Sequence, residues 1–332
     1  MNLPLLKIKS VSKQFVKKRD YAQRLVDYFK GGGKDEVVYA VNDVDLYIQK
    51  GEVVGLVGES GCGKSTLGRV IAGIHEATQG DVFWKGKVLS SNDKEFQKTA
   101  NLAIQMIFQD PMSSLNPRKR VREIIGEAPL FHGLIQASEV DDYVEKVMLT
   151  VGLDPAYKMR YPHQFSGGQR QRIGIARALA VKPEFLICDE SVAALDVSIQ
   201  AQVINLFMSL RKKLDLTYLF ISHDLGVVEH ISDRIVIMYL GKIVEVSETK
   251  TLFEKPNHPY TQALLKEVPK IVTEQHDFEP IKGEIPSPLD PPSGCHFHPR
   301  CSFANQVCSE EAPKLKQIAT NQWSACHLNT NI

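Results

Sequence analysis

No stretch of this chain is apolar for long enough to cross a bilayer. The most apolar runs, Phe185 to Cys188 and Ile235 to Leu240, fall far short of the roughly 20 residues that a spanning helix needs. Net charge is missing as well: 40 Lys and Arg face 39 Asp and Glu. No global positive field therefore argues for nucleic acid as a partner, although local basic runs such as Arg118-Lys119-Arg120 exist. The start, Met1-Asn-Leu-Pro-Leu-Leu-Lys7, has no basic segment leading into a long apolar core and cleavage site. A secretory signal is not expected, and the cytoplasm is the expected location. Cysteine is sparse, with six in the chain. What is present is 332 residues, 43% hydrophobic and 24% charged, enough to bury the core of one large domain plus an appendage and unlike a disordered or fibrous chain.

Residues 4–15 and 36–58 contain apolar or alternating runs, such as Val53-Val54-Gly55-Leu56-Val57, that predict short strands. Between them, Lys17 to Lys34 is basic and contains Gly31-Gly32-Gly33, which reads as a helical insertion and a flexible loop. Further strands are expected at Ala103 to Phe108, Phe185 to Asp189 and Tyr218 to Ser222, with a helix over Ile199 to Leu214. This alternation predicts an α/β fold with a mostly parallel sheet. The amphipathic segments Val121 to Glu127 and Val140 to Val151, with no strand between them, predict a helical subdomain inserted at about 115–165. The expected division is a core over 4–250 and an extension over 251–332, with no internal repeat. The extension has a strand at Lys242 to Val246 leading into it, then a helix at Tyr260 to Glu267, a proline-rich linker and a cysteine group.

Gly58-Glu59-Ser60-Gly61-Cys62-Gly63-Lys64-Ser65-Thr66 matches the phosphate-loop template, and it stands between an apolar strand and a helix start. Glycines let successive N–H groups face phosphates; Lys64 is placed to neutralise β and γ oxygens of ATP, and Ser65 to offer a hydroxyl to Mg2+. The strand Phe185 to Asp189 ends in two acids, Asp189 and Glu190. Asp189 suits a Mg2+ ion held through water, and Glu190 suits polarising an attacking water. Such a strand is common by itself, and its place after the loop raises its weight. Phe165-Ser166-Gly167-Gly168-Gln169 opens a predicted helix between the two motifs; its plainer reading is a serine-capped helix.

Taken together these motifs resemble the ATP-binding cassette (ABC) ATPases. The resemblance implies that Ser166, Gly167, Gly168 and Gln169 contact the γ-phosphate of ATP held by an opposite subunit. It further implies that Gln109 senses Mg2+ and the membrane partner, that Asp196 in Ala194-Leu195-Asp196 communicates across the dimer, and that His223 contacts the γ-phosphate. Singly, each of these is as readily a capping or surface residue. The family also implies an aromatic on the adenine, for which Phe15 and Tyr39 both qualify and either is equally a packing residue. One departure is Ser191, where the family usually has proline after the catalytic acid; the turn loses proline's stiffness but no catalytic group.

A narrower resemblance covers nearly the whole chain and points to ATP-binding subunits of bacterial oligopeptide and dipeptide importers. It is carried by Phe108-Gln109-Asp110-Pro111, Ser114-Leu-Asn-Pro-Arg118, the run from Ala194 to Gln202, His258-Pro259-Tyr260-Thr261 and Gly283-Glu-Ile-Pro-Ser-Pro288 leading to Pro291-Pro-Ser-Gly-Cys295. That resemblance implies an ATPase with a second ABC subunit, often a related non-identical chain, beneath two membrane-spanning permease subunits. An extracytoplasmic peptide-binding protein feeds them, and this chain sits peripherally on the cytoplasmic face of the inner membrane. Nickel or antimicrobial-peptide cargo, and a soluble non-transport ATPase, are the alternatives. Cys295, Cys301, Cys308 and Cys326 are separated by five, six and seventeen residues. In a reducing compartment they read as metal ligands before disulfides, a 4Fe-4S cluster ahead of Zn2+ by the resemblance, or else as unbound thiols. His296, His298 and His327 are expected in solvent rather than as ligands, although for Zn2+ one could replace a cysteine.

Overall fold

The computed structural model describes residues 3–17, 36–267, 281 and 283–331. The insertion read between Lys17 and Lys34 lies, apart from its first residue, outside them. Among the described residues the strands are β1 (Leu6–Lys17), β2 (Glu36–Ile48), β3 (Val53–Val57), β4 (Gln79–Trp84), β5 (Lys87–Val88), β6 (Ile104–Ile107), β7 (Phe185–Asp189), β8 (Thr217–Ser222), β9 (Arg234–Tyr239), β10 (Lys242–Glu248), β11 (Lys316–Ala319) and β12 (Gln322–Ser324). The chain divides into two compact units.

The first unit comprises Met1–Leu6, Ile48–Leu56 and Trp84–Asp233. Its strands run in the order β3-β8-β7-β6, and β6, β7 and β8 are parallel, with Ile107 beside Cys188 and Asp189 beside Ile221. Every residue of β7 and β8 is buried, as the unbroken apolar runs require of strands covered on both faces. Phe207, from the helix Val197–Leu214, meets Tyr218 and Phe220 edge-on at 5.8 and 5.9 Å. Burial of each such side chain contributes about 2 kcal/mol.

Between β6 and β7 the chain forms only helices, chiefly Pro111–Ser114, Val121–Phe131, Val140–Thr150 and Gly167–Leu179. Val121, Ile124 and Ile125 on one helix and Val140, Val144 and Met148 on the next are buried, the helical spacing that the sequence displays. Asp110 caps the short helix Pro111–Ser114 by accepting from the N–H groups of Met112 and Ser113. The parallel core with a helical insertion is the expected fold class.

The second unit comprises Lys7–Tyr47, Val57–Phe83 and Arg234–Ile332. It contains the neighbouring strands β2-β1-β4 and an antiparallel series β11-β12-β10-β9, in which Val246 pairs with Val236 on one side and Trp323 on the other. The residue pattern of the tail predicts linker, helix and cysteine group, so the hairpin of β11 and β12 is an addition. Its strands are short and mostly polar, and their pairing to β10 is set by contacts some 80 residues away. Glu245 of β10 is fully buried and accepts from the N–H groups of Asn257 (2.9 Å) and His258 (2.8 Å) and from Gln322 Nε2 (3.2 Å). Those three bonds offset the desolvation of its carboxylate.

Candidate active site

The second unit carries the phosphate loop. The helix Lys64–Ile71 begins after Gly63, whose φ of 105° belongs to glycine. A Cβ on Gly63 would lie 2.0 Å from the Ala40 carbonyl oxygen, and one on Gly58 would lie 2.1 Å from that of Met238. The loop is thus pressed against two backbone segments, leaving Ser60 and Gly61 exposed. The Lys64 side chain is buried, and its ammonium donates to the carbonyls of Gly58 (2.7 Å) and Glu59 (3.0 Å). Cys62 is buried, and that burial raises its thiol pKa, so it is an inert packing group.

Two residues beyond the core motifs reach this loop. The Tyr260 hydroxyl accepts from the Glu59 N–H at 2.9 Å. The Arg300 guanidinium grips the Glu59 carboxylate in a fork at 2.7 and 3.0 Å. Tyr260 lies in a quoted motif, but sequence reasoning misses Arg300, because a pair 241 residues apart leaves no local signal. Of the adenine candidates, Phe15 is 38% exposed with its edge on His75 and the Lys13 ammonium over its ring, whereas Tyr39 is half-buried with its N–H on the Pro288 carbonyl.

The first unit carries the acids. Glu190 follows β7 with φ of 46°, a left-handed conformation unusual outside glycine. Its N–H donates to the Ile221 carbonyl at 3.0 Å, tying the turn to β8. Gln109, two residues past β6, donates its Nε2 to Glu190 Oε2 at 2.7 Å. His223, just past β8, places Nδ1 3.5 Å from Oε1. Three parallel strands thus bring Gln109, Glu190 and His223 together at their carboxyl ends, where open α/β sheets place their ligands. Asp189 and Ser191 flank Glu190 and are buried.

In the same unit Ser166 caps the helix Gly167–Leu179: its Oγ accepts from the Gln169 N–H at 3.4 Å, and Gln169 Oε1 accepts from the Ser166 N–H at 3.1 Å. Ser166 and Gly167 are exposed, and Gly168 half-buried, so this helix N-terminus presents its N–H groups outward. Asp196 is exposed at the start of the helix Val197–Leu214 and makes no side-chain cap bond.

The four tail cysteines are free thiols lining one cavity in the second unit. Burial raises the pKa of Cys295 and Cys301, and that of Cys326 to about 11, so these three thiols are protonated at neutral pH. Among the described residues no group of three His, Cys, Asp or Glu side chains is disposed to hold a metal ion. The three histidines are not uniformly solvated as expected. His296 is buried with Nδ1 3.0 Å from the Leu240 carbonyl oxygen, His298 Nδ1 lies 2.9 Å from that of Cys295, and His327 Nε2 2.8 Å from that of Glu311.

Two family models match the chain, "ABC transporter" over residues 41–193 and "Oligopeptide/dipeptide transporter, C-terminal region" over residues 244–308. The oligopeptide transport ATP-binding protein AppF of Bacillus subtilis is 48% identical over 328 residues, covering 98% of this chain and 97% of AppF. The chain belongs to the ABC transporter ATP-binding subunits of the oligopeptide and dipeptide group. The ABC subunit OppF of Escherichia coli, an oligopeptide transport ATP-binding protein, is 49% identical over 83% of this chain and 84% of OppF. Among solved structures, the ATP-binding cassette MJ0796, a post-hydrolysis dimer bound to ADP and Pi, superposes with a TM-score of 0.61 at 25% identity, covering 74% of this chain and 98% of that one. This ABC subunit is an ATPase, and among its described residues no helix is long and apolar enough to cross a membrane.

Proposed function

We propose that this chain hydrolyses ATP to drive the import of oligopeptides or dipeptides by a membrane transporter on which it sits peripherally, at the cytoplasmic face. The observation that carries this reading is similarity along almost the whole length of peptide-transport ATP-binding proteins, including the C-terminal region at 244–308 that lies outside the ATPase core. The partners are a second ABC subunit, two permease subunits and, indirectly, an extracytoplasmic peptide-binding protein.

In this reading Gly58 to Thr66 cradle the phosphates, and Lys64 exchanges the Gly58 and Glu59 carbonyls for β and γ oxygens. By the family resemblance Ser65, Gln109 and, through water, Asp189 are each assigned to Mg2+, which would supply charge neutralisation on the phosphate oxygens. Glu190 accepts a proton from water as the water oxygen bonds to the γ-phosphorus and the bond to the bridging oxygen of ADP breaks. The Gln109 bond aims the Glu190 carboxylate, and His223 turns to the γ-phosphate from its present place beside Glu190. Ser166, Gly167, Gly168 and Gln169 meet ATP on the partner subunit, and Asp196 relays its state. Closing and reopening of the dimer alternates access to the membrane cavity.

At the tail, Cys295, Cys301, Cys308 and Cys326 suit a 4Fe-4S cluster in donor type and number, and they share one cavity. A cluster would cross-link four points of the tail, and its binding requires all four thiols to lose their protons. Iron and acid-labile sulfide absent from anaerobically purified, folded protein would rule it out.

The ATPase roles are tested by ATP turnover of the assembled transporter carrying Glu190→Gln. A fall of about a hundredfold or more with ATP still bound is expected; turnover within about threefold of wild type removes Glu190 from the mechanism.

A further inference from the structure

The second residue of the phosphate loop is held from outside the nucleotide core. Glu59 has its N–H on the Tyr260 hydroxyl at 2.9 Å and its carboxylate in the Arg300 fork at 2.7 and 3.0 Å. The Arg300 side chain is only 4% exposed and that of Glu59 20%, so water screens the pair weakly. The guanidinium also donates to the Tyr239 hydroxyl at 3.4 Å. Behind the pair, Tyr239, Tyr260 and Phe297 pack ring on ring at 4.7 to 5.3 Å. The Arg300 N–H closes a tight turn on the Phe297 carbonyl at 3.0 Å, immediately before Cys301. Tyr260 and Arg300 of the C-terminal extension, packed with Tyr239 of β9, therefore end on one loop residue.

The consequence is electrostatic as well as steric. A loop that receives a triphosphate gathers N–H dipoles and the Lys64 ammonium, and a bare carboxylate on its second residue would oppose the same anion. We infer that Arg300 is a positioning residue for ATP binding: it neutralises Glu59 and, with Tyr260, fixes the loop, so that the C-terminal extension sets the affinity of the phosphate loop for nucleotide. This rests on the reading that residues 58–66 bind ATP. The alternative use of the same contact is one-sided, with the loop serving only as an anchor on which the tail folds.

The two are separated by equilibrium binding of a fluorescent ATP analogue, with Mg2+, to the purified full chain. The variants are Lys64→Ala, Arg300→Met, Arg300→Lys, Glu59→Gln and the double change Glu59→Gln with Arg300→Met, each also checked by thermal unfolding. Arg300→Met should weaken binding about tenfold through the exposed charge of Glu59. Arg300→Lys keeps the charge but not the fork and should fall between. Adding Glu59→Gln to Arg300→Met should restore binding to within about threefold of wild type, a rescue that a purely structural arginine would not give. Should Arg300→Met fail to fold, the polar neutral change Arg300→Gln, with and without Glu59→Gln, carries the same test. Loss of binding in Lys64→Ala with Arg300→Met and Arg300→Lys both within about twofold of wild type overturns this inference alone. So does a double variant that binds no better than Arg300→Met. Full binding by Lys64→Ala overturns the nucleotide reading beneath it.

Discussion

Two glycines of the phosphate loop, Gly61 and Gly63, make a controlled pair because both have positive φ, 79° and 105°, but only one is crowded. At Gly61 an added Cβ meets nothing within 4 Å. Gly61→Ala therefore bears only the left-handed backbone penalty of about 1–2 kcal/mol, partly offset by a stiffer unfolded chain, for a net loss of about 1 kcal/mol. At Gly63 the same Cβ lies 2.0 Å from the Ala40 carbonyl oxygen and 3.0 Å from Met238 Cε. The methionine can swing away, but the carbonyl is backbone, so strand β2 or the loop must move. Overpacking of that kind adds about 2 kcal/mol or more, for a total of roughly 3. At about 2 °C per kcal/mol for a chain of this size, the expected falls in Tm are about 2 °C for Gly61→Ala and about 6 °C for Gly63→Ala. Thermal unfolding of the purified full chain without nucleotide measures both. Equal shifts, within about 1 °C, would refute the claim that close backbone approach, rather than backbone conformation alone, demands glycine at Gly63.

Gln109→Ala removes the 2.7 Å bond that aims Glu190; such a charge-assisted bond is worth about 1.5–3 kcal/mol, so kcat of the assembled transporter at saturating ATP and Mg2+ should fall about 10- to 100-fold. A kcat within about threefold of wild type would contradict the positioning role. Glu245→Ala strands three donors, the N–H groups of Asn257 and His258 and the Gln322 amide, and should destabilise the second unit by about 3 kcal/mol or more, read as an unfolding shift. In metal-free protein, alkylation of Cys326 should be slow near neutral pH and rise about tenfold per pH unit until about pH 11, because burial raises its pKa to about 11. The sign follows from the reactive form being the thiolate: a raised pKa leaves less of it at any lower pH. A plateau near pH 9 would show an ordinary thiol.

The parts of this molecule that follow local rules are legible from its residues. Val53 to Val57 before the glycine loop, and Phe185 to Asp189 before Glu190, are apolar runs bounded by turn and charge, and both are buried strands. The helical insertion is readable because Val121, Ile124 and Ile125, and Val140, Val144 and Met148, recur at helical spacing. The tail is not readable in the same way. Lys316–Ala319 and Gln322–Ser324 have no alternation long enough to announce strands, and they form because β10 offers an edge. His296 reads as a solvent residue because histidine usually is one, yet the Leu240 carbonyl accompanies it into the interior. Gln109, Glu190 and His223 lie far apart in sequence, and only the parallel order of β6, β7 and β8 sets their side chains within reach of one another. The Arg300 fork on Glu59 is the extreme case, a charge pair that no window of sequence contains.

In the proposed cycle ATP hydrolysis through Glu190 drives peptide uptake. This coupling is tested most directly by uptake of labelled dipeptides and longer peptides into cells whose only copy of this chain carries Glu190→Gln, compared with wild type. Uptake should be lost while the variant still assembles at the membrane, and the peptide lengths whose uptake is lost identify the cargo. Uptake of every peptide at the wild-type rate in the variant would show that this ATPase does not drive peptide import and would point to nickel or antimicrobial peptides as its cargo.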